Sequence, residues 1–192
     1  PRSVQIVGYD PKEMADAAQY NVDRGAEIID IPFTALSKIP KINAGGGIYA
    51  EAFVAHRNQI KEHADEYDPR VRNRLLRTKS ISAVDYLIAM KERDAVIKEA
   101  NKVTSRFNAI IMPTTPIIAP SIKALEENTD LYLETNALSL RNTFCFNFLD
   151  RCALSIPIHP SGEAPVGLMI VGETLGDKEL LSVGLAIEKA LN

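Results

Sequence analysis

Cysteine is scarce in this sequence, and neither sign of charge dominates it. The 192 residues include two cysteines, Cys145 and Cys152, which lie seven positions apart and form no C-x-x-C motif. This spacing argues against a disulfide scaffold or a zinc site and favours a reducing compartment. The 22 basic and 25 acidic side chains give a net charge of −3. The sequence therefore lacks the broad basic footprint of a nucleic-acid-binding protein and any polybasic membrane anchor.

Long apolar runs are missing as well. No stretch of the sequence approaches the roughly 18–20 apolar residues that a membrane-spanning helix needs. The first residues, Pro1–Val7, show neither the charged nor the apolar region of a secretory signal peptide. These absences predict a cytoplasmic domain with no membrane partner and no nucleic-acid partner.

Common catalytic and cofactor motifs are also absent. No G-x-S-x-G nucleophile elbow occurs, and no G-x-G-x-x-G follows the first predicted strand. Gly45–Gly47 is followed by Ile48 rather than by the Lys-Ser/Thr of a phosphate-binding loop. His56 and His63 lack metal-ligand spacing, so we expect them to be core or interface histidines. The residues by themselves predict no catalytic group, no metal site and no cofactor.

The residues that are present alternate between predicted strands and helices. Val4–Val7 and Glu27–Ile31 flank a helix that begins at Pro11, and such a β-α-β unit predicts parallel strands with a right-handed crossover. Further strands are predicted at Ala109–Met112, Ala153–Ile158 and Gly167–Val171. Helices are predicted at about 48–63, 69–76, 82–107, 131–140 and from 177 to the last residues.

The last two predicted strands are joined by a short turn at Pro160–Gly162, which is typical of an antiparallel hairpin. A hairpin beside a parallel unit predicts a mixed sheet. The expected fold class is therefore α/β, a mixed β-sheet flanked by helices, in a single domain over residues 1–192.

Five basic residues between positions 70 and 79 have two interpretations. They form a carboxylate-binding cluster, or they are a solvated helix face balanced by the acidic residues just upstream. Within the cluster, Arg74 is the residue that we expect to point inward, beside Leu75.

Several longer motifs, in order along the chain, carry a resemblance to a known family. They are Ala109–Pro116 with its Pro-Thr-Thr-Pro ending, Asn147–Pro157, Ala164–Gly172, and the helix that begins at Asp177. Together they resemble the C-terminal half of the amidase signature family, and the resemblance covers essentially the whole chain. It implies a partial amidase-signature fold, an incomplete domain over residues 1–192.

The resemblance also implies what this chain does not encode. In this family, a nucleophilic serine acts through a second serine and a lysine, and all three lie in a Gly/Ser-rich region of the N-terminal half. No such region occurs in the sequence. No serine or lysine of this chain therefore inherits a catalytic role.

The substrate pocket is what this half is expected to contribute. The resemblance places Arg74 and Arg141 near the substrate, where two arginines favour a substrate with a carboxylate or another anionic group. Asn147 and Asp150 complete the expected substrate-binding set, and they also suit a turn held by hydrogen bonds to the backbone. A helix-end or surface salt bridge is the alternative for Arg141.

Three functional hypotheses follow. The first is the C-terminal part of an amidase that hydrolyses a carboxamide, with the nucleophile supplied by the missing N-terminal half. The second is a non-catalytic binding module that forms homo-oligomers through surfaces which the missing half would cover. The third is a relative of the glutamyl-tRNA amidotransferase A subunit, although residues 150–153 resemble the free-standing amidases more. The expected partners are a small-molecule amide and either the missing half or a second copy of the chain.

Overall fold

A computed structural model describes residues 2–6, 23, 25–30, 32–44 and 49–191. The chain divides into two compact units, of which unit 1 holds residues 1–33 and 101–192 and unit 2 holds residues 34–100. The helix predicted to begin at Pro11 lies outside the described residues, so the right-handed crossover stays a prediction. The single, incomplete domain over residues 1–192 also stays a prediction.

Within the described residues, five strands of unit 1 form one sheet in the order β2-β1-β3-β5-β4. The strands are β1 (Arg2–Ile6), β2 (Ala26–Ile29), β3 (Ala109–Pro113), β4 (Ala153–Pro157) and β5 (Gly167–Val171). Strand β1 pairs in parallel with both β2 and β3, whereas β5 pairs antiparallel with β3 and with β4. The parallel unit, the hairpin and the mixed α/β sheet that the sequence predicted are confirmed.

The core of unit 1 forms where α7 (Asp177–Leu191) packs on one face of this sheet. The stripe of Leu180, Gly184 and Ile187 is buried, as the 3.6-residue period predicts. Its side chains meet Ile111 and Ile170 in one apolar cluster. Gly184 permits this close packing, because a Cβ atom there would lie 2.7 Å from a methyl carbon of Leu154.

The helix predicted at residues 131–140 is longer in the structure. A short helix α5 (Ile122–Glu127) precedes α6 (Thr129–Phe148), and the side chain of Asn128 caps α6 by accepting a hydrogen bond from the backbone of Leu131. The extension carries Phe146 and Phe148, which are fully buried. Aromatic residues are mediocre helix formers, so tertiary burial rather than propensity sustains the last two turns.

Unit 2 is helical. Its helices are α1 (Ile39–Asn43), α2 (Tyr49–Glu62), α3 (Pro69–Arg77) and residues 83–100 of α4 (Ala83–Thr104), with 3₁₀ turns at Thr34–Lys38, Ala64–Glu66 and Thr78–Ser80. A capping box begins α4, since the Ser82 hydroxyl accepts the backbone N–H of Asp85 at 3.0 Å. The same hydroxyl donates to the Asp85 carboxylate at 2.6 Å.

In the part of the chain that the structure describes, no helix has the length and apolar character needed to cross a bilayer.

Candidate functional site

The carboxyl end of β3 is the place where polar side chains of unit 1 converge. Parallel strands β1, β2 and β3 end at this edge of the sheet, and ligands of α/β sheets commonly bind beyond such ends. Immediately after β3, the backbone N–H of Thr114 donates to the carbonyl of Gly167 at 2.8 Å. The Thr114 and Ser155 hydroxyl oxygens lie 2.5 Å apart and share a hydrogen bond. We call the set of Thr114, Ser155, Asn142 and Arg141 the carboxyl edge.

Gly167 makes room for this pair of hydroxyls. A Cβ atom at position 167 would lie 2.8 Å from the Thr114 hydroxyl and still closer to the Ser155 hydroxyl. The groups that approach Gly167 most closely are therefore side-chain hydroxyls rather than backbone.

Helix α6 contributes Asn142 and Arg141 to the same edge. Asn142 is buried, and its side-chain amide donates to the carbonyl of Pro113, the last residue of β3, at 2.8 Å. The Arg141 Nε donates to the Asn142 side-chain oxygen at 3.3 Å, and the Arg141 side chain is half-buried. Asn142 therefore links Arg141 to the end of the strand, a role that its position in the sequence did not reveal.

One turn along α6, Cys145 is half-buried. Burial raises the pKa of the Cys145 thiol, and the Arg141 guanidinium opposes that shift. A thiol with a raised pKa stays protonated at neutral pH, so Cys145 is no reactive nucleophile. Both cysteines are free and half-buried, as is typical of cysteines that pack as small apolar side chains.

The opposite edge of the sheet is organised around Arg151, a residue to which the sequence assigned no role. The Arg151 side chain is 2% exposed, and its Nη1 lies 2.7 Å from a carboxylate oxygen of Glu173. Its Nη2 donates to the side-chain oxygens of Asn101 at 2.6 Å and Thr104 at 2.8 Å. Nη1 also donates to the Gly172 carbonyl at 3.4 Å. We call this set the Arg151 network.

Asn147 and Asp150 belong to the end of α6 nearest the Arg151 network. The backbone N–H of Arg151 bonds to the carbonyl of Phe146, and that of Asp150 bonds to the carbonyl of Asn147. This is a Schellman ending, in which Asp150 takes the left-handed conformation with φ of 59°. Backbone groups hold this turn, and both side chains are exposed without a hydrogen-bond partner among the described residues.

The structure therefore separates residues that the sequence had grouped. Arg141 is tied through Asn142 to the carboxyl end of β3, whereas Asp150 precedes Arg151 at the other end of the sheet. The strand between these ends is about 13 Å long at ~3.3 Å per residue. Within unit 1, Arg141 and Asp150 thus face different edges, and their substrate-binding roles stay predictions.

Arg74 lies in unit 2, on α3 beside the buried Leu75. Its side chain is half-buried, and its guanidinium has no hydrogen-bond acceptor among the residues that the structure describes. Most other members of the basic cluster are exposed, and Arg70 pairs with Asp68 at 3.0 Å. Half-burial does not single out Arg74, because Arg72 is also half-buried and donates to the Ala64 carbonyl at 2.8 Å. The inward position of Arg74 and its contact with substrate stay predictions.

His56 of α2 and His63 of the turn after it are exposed, so neither is a core histidine, while the interface alternative stays a prediction. His56 Nδ1 shares a hydrogen bond with the Tyr67 hydroxyl at 2.9 Å, and His63 Nδ1 lies 2.8 Å from the Glu66 carboxylate. The His56 ring also packs edge-on against the Tyr67 ring, with the ring centroids 5.9 Å apart. Over the described residues, no group of three or more His, Cys, Asp or Glu side chains could hold a metal ion.

The carboxyl edge can bind a polar ligand, but the described groups do not form an activated nucleophile. A serine nucleophile needs a base that takes its proton. The described hydrogen-bond partner of Ser155 is the hydroxyl of Thr114, which is no base. Two hydroxyls and a nearby guanidinium offer donors and acceptors for an amide or a carboxylate.

Similarity to known proteins extends over most of the chain. The family model described as Amidase matches residues 14–181. A 2-amino-5-chloromuconic acid deaminase of Comamonas testosteroni is 27% identical over 178 residues, which are 90% of this chain and 37% of that protein. The A subunit of the glutamyl-tRNA(Gln) amidotransferase of Thermotoga maritima is 32% identical over 101 residues, which are 53% of this chain and 20% of that protein.

A solved structure extends the likeness to the fold. An allophanate hydrolase of Kluyveromyces lactis superimposes with a TM-score of 0.84 over 99% of this chain, at 20% identity, and the match covers 31% of that chain. The match spans well under half the length of each of these three relatives. Because the family model covers most of the sequence, this chain belongs to the amidase family.

Proposed function

We propose that this chain forms the substrate-binding part of an amidase that hydrolyses the C–N bond of a carboxamide. The observation that carries the proposal is the carboxyl edge, where the Thr114 and Ser155 hydroxyls and the Asn142–Arg141 pair converge and no base among the described residues contacts the hydroxyls. Such an edge can bind and orient an amide, but its described groups do not activate a nucleophile. The nucleophile would come from residues outside these 192, in the same polypeptide or in another chain.

The proposed reaction proceeds through an acyl-enzyme. The external serine oxygen adds to the amide carbonyl, and the C–N bond then breaks as the leaving nitrogen takes a proton. Water hydrolyses the resulting ester, so the products are a carboxylic acid and ammonia or an amine. In this reaction the carboxyl edge would hold the amide in place, and Arg141 would bind an anionic group of the substrate.

Arg74 is proposed as a second anion-binding residue, contributed by unit 2. A half-buried guanidinium without a described acceptor has lost part of its hydration without gaining an ion pair. A substrate carboxylate would supply the missing acceptor and could bind in a bidentate way. Asn147 and Asp150 remain proposed substrate-binding residues, with exposed side chains available to a ligand.

The proposal is tested by restoring the missing half. The 192-residue chain is prepared alone and together with the complementary N-terminal portion of an amidase relative, and ammonia release from a panel of carboxamides is measured. We expect turnover only from the assembled pair. An inert pair that is demonstrably assembled, or an acyl adduct trapped on a serine of this chain alone, would contradict the proposal.

The two arginines are tested in the active assembly. Arg74→Met and Arg141→Met should each raise KM for a carboxylate-bearing amide by roughly tenfold or more, with a smaller change in kcat. Arg77→Met is the matched control, because Arg77 lies on the same helix as Arg74 but is exposed. Equal KM values for all three variants and the unchanged protein would contradict the anion-binding role of Arg74 and Arg141.

A non-catalytic module that forms homo-oligomers is the second candidate function. Exposed apolar side chains in unit 1 favour it, among them Leu175, which is 91% exposed, and Ile122, which is 75% exposed. Surfaces of this kind promote self-association. Sedimentation analysis of the isolated chain would give a dimer or larger species, and a monomer that binds no hydrophobic dye would oppose this candidate.

The glutamyl-tRNA amidotransferase likeness supports a third candidate, a protein that releases ammonia for a tRNA-bound acceptor. It rests on the 101-residue match to the Thermotoga maritima relative. Copurification with a tRNA-binding partner would separate this candidate from a free-standing amidase. For each candidate we propose a cytoplasmic location, which the two free cysteines support.

A further inference from the structure

A cleft of about 710 Å³ lies entirely within unit 2. One wall is formed by the 3₁₀ turn Thr34–Lys38 and helix α1, and the other by the middle of α4. Small-molecule sites in proteins usually have volumes of roughly 300–1,000 Å³. The cleft is therefore large enough for a small ligand, and its lining includes no residue of the carboxyl edge or the Arg151 network.

The floor of this cleft is apolar. Val96 of α4 is buried at 4% exposure, and Ile42 of α1 is half-buried. Both residues line the cleft together with Ala95. An aliphatic side chain of a ligand would find apolar contacts here, as small-molecule sites usually provide.

The rim of the cleft carries charges of both signs. Lys38 and Glu99 already form an ion pair with each other. Lys41 and Glu92 also line the cleft, and neither side chain has an ion-pair or hydrogen-bond partner among the described residues. Glu92 lies two turns before Glu99 on α4, about 10.5 Å along the helix axis at ~1.5 Å per residue. The cleft therefore presents one cation and one anion that remain available to a ligand.

We propose that this cleft binds a small zwitterion, namely an α-amino acid with an aliphatic side chain. Its carboxylate would pair with Lys41, its ammonium group with Glu92, and its side chain would lie on Ile42 and Val96. The inference does not rest on the proposed amidase function, because the cleft is lined by none of the residues proposed to bind the amide substrate. Each exposed ion pair contributes little by itself, so we expect a dissociation constant on the order of 1 mM.

The first test is a titration of the ¹⁵N-labelled 192-residue chain followed by NMR. The probes are L-leucine, N-acetyl-L-leucine, which lacks the ammonium group, and L-leucinamide, which lacks the carboxylate. L-Leucine should produce saturable shifts of the backbone amides of residues 37–42 and 92–99. The two analogues should bind about twofold to fivefold more weakly, because each loses one exposed ion pair. The proposal is overturned if the chemical shifts do not saturate with L-leucine or if all three probes bind with equal affinity.

The second test assigns each charge of the ligand to its partner. Lys41→Met and Glu92→Gln should each weaken L-leucine binding about twofold to fivefold. Glu92→Gln should leave the weak binding of N-acetyl-L-leucine unchanged, since that probe has no ammonium group. Lys91→Met is the control, because Lys91 is exposed on α4 but does not line the cleft. Unchanged L-leucine affinity in both cleft variants would refute the assignment. Amide hydrolysis is measured in neither test, so failure here leaves the amidase proposal standing.

Discussion

The polar residues at the two ends of the strands in the unit 1 sheet, the carboxyl edge and the Arg151 network, have different roles. In the Arg151 network, both terminal nitrogens of a buried guanidinium are engaged by four partners from the end of α4 and the loop after β5. At the carboxyl edge, the Ser155 hydroxyl is exposed and bonds to the hydroxyl of Thr114. Groups already engaged by protein partners stabilise the fold, whereas groups with remaining hydrogen-bonding capacity can bind a ligand.

This difference follows from the cost of burying charge. A buried guanidinium must have acceptors, because an unpaired buried charge is strongly destabilising. A hydroxyl at an exposed edge can exchange its partner for water or for a ligand at little cost. The comparison predicts that substitutions in the Arg151 network affect stability, and that substitutions at the carboxyl edge affect ligand binding unless they alter packing.

Arg151→Met should have the largest effect on stability. The variant removes the buried partner of Glu173 and leaves Asn101 and Thr104 without their donor, so unfolding should become easier by about 2–4 kcal/mol. Glu173 is half-exposed and can be rehydrated, which keeps the loss below that of a fully buried pair. Urea denaturation measures the change. Lys123→Met, in an exposed pair with Glu127, is the control and should cost about 0.5 kcal/mol or less. Equal losses of unfolding free energy in the two variants would contradict the stabilising role of the Arg151 network.

Gly167→Ala should have the next largest effect, because the new methyl group meets the Thr114 and Ser155 hydroxyls. We expect a loss of about 1–3 kcal/mol from overpacking. Adding Ser155→Ala should recover part of the loss, since the Thr114 hydroxyl still lies 2.8 Å from the added atom. A double-mutant cycle from urea denaturation gives the coupling. Purely additive losses would show that these two residues do not meet.

Asp150 permits a smaller test at the other edge. Glycine adopts a positive φ without strain, so Asp150→Gly should raise stability by about 0.5–1 kcal/mol. Asp150→Val should lower it by about 1–2 kcal/mol, because a branched side chain is strained there. Thermal unfolding measures both. In the active assembly, Asp150→Asn removes the charge with little strain, and a raised KM would support substrate binding by Asp150.

The exposed ion pair of Asp68 and Arg70 provides the smallest expected effect and contrasts with the buried pair of Arg151. Hydrogen bonds from the Arg70 side chain and backbone lower the pKa of Asp68 from 3.8 to about 2. A lowered pKa stabilises the fold above pH 3.8, and this contribution is lost as the pH falls from 3.8 to about 2. Thermal unfolding between pH 2 and 6 should show a slightly weaker acid dependence in Asp68→Asn than in the unchanged protein. Identical profiles would indicate that the pair adds nothing to stability.

Local features of the fold were predicted well from the sequence. The periodicity of Leu180, Gly184 and Ile187 identified the buried stripe of α7, and the Ser82–Asp85 spacing identified the start of α4. The turn at Pro160–Gly162 identified the hairpin, where Gly162 has a φ of +89°. The length of α6 was underestimated, because the burial of Phe146 and Phe148 is a tertiary effect.

The candidate site was predicted only in part. The motifs that carry the family resemblance contain Thr114, Ser155 and Arg151, but their spacing along the chain does not show which side chains meet. Asn101 lies 50 positions before its partner Arg151, and Thr114 lies 41 positions before Ser155. Arg151 directly follows the helix ending at Asp150. No local sequence pattern distinguishes this buried arginine from an exposed one.

The sequence alone determined the caps, the helix stripes, the hairpin turn and the family, because these depend on residues within a few positions of one another or on ordered motifs. Only the tertiary structure decided which polar groups are engaged and which remain available. That decision depends on pairing of β3, β4 and β5, which brings distant segments within hydrogen-bonding distance at each edge. Burial then requires acceptors around Arg151, while exposure leaves the hydroxyls of the carboxyl edge open to a ligand.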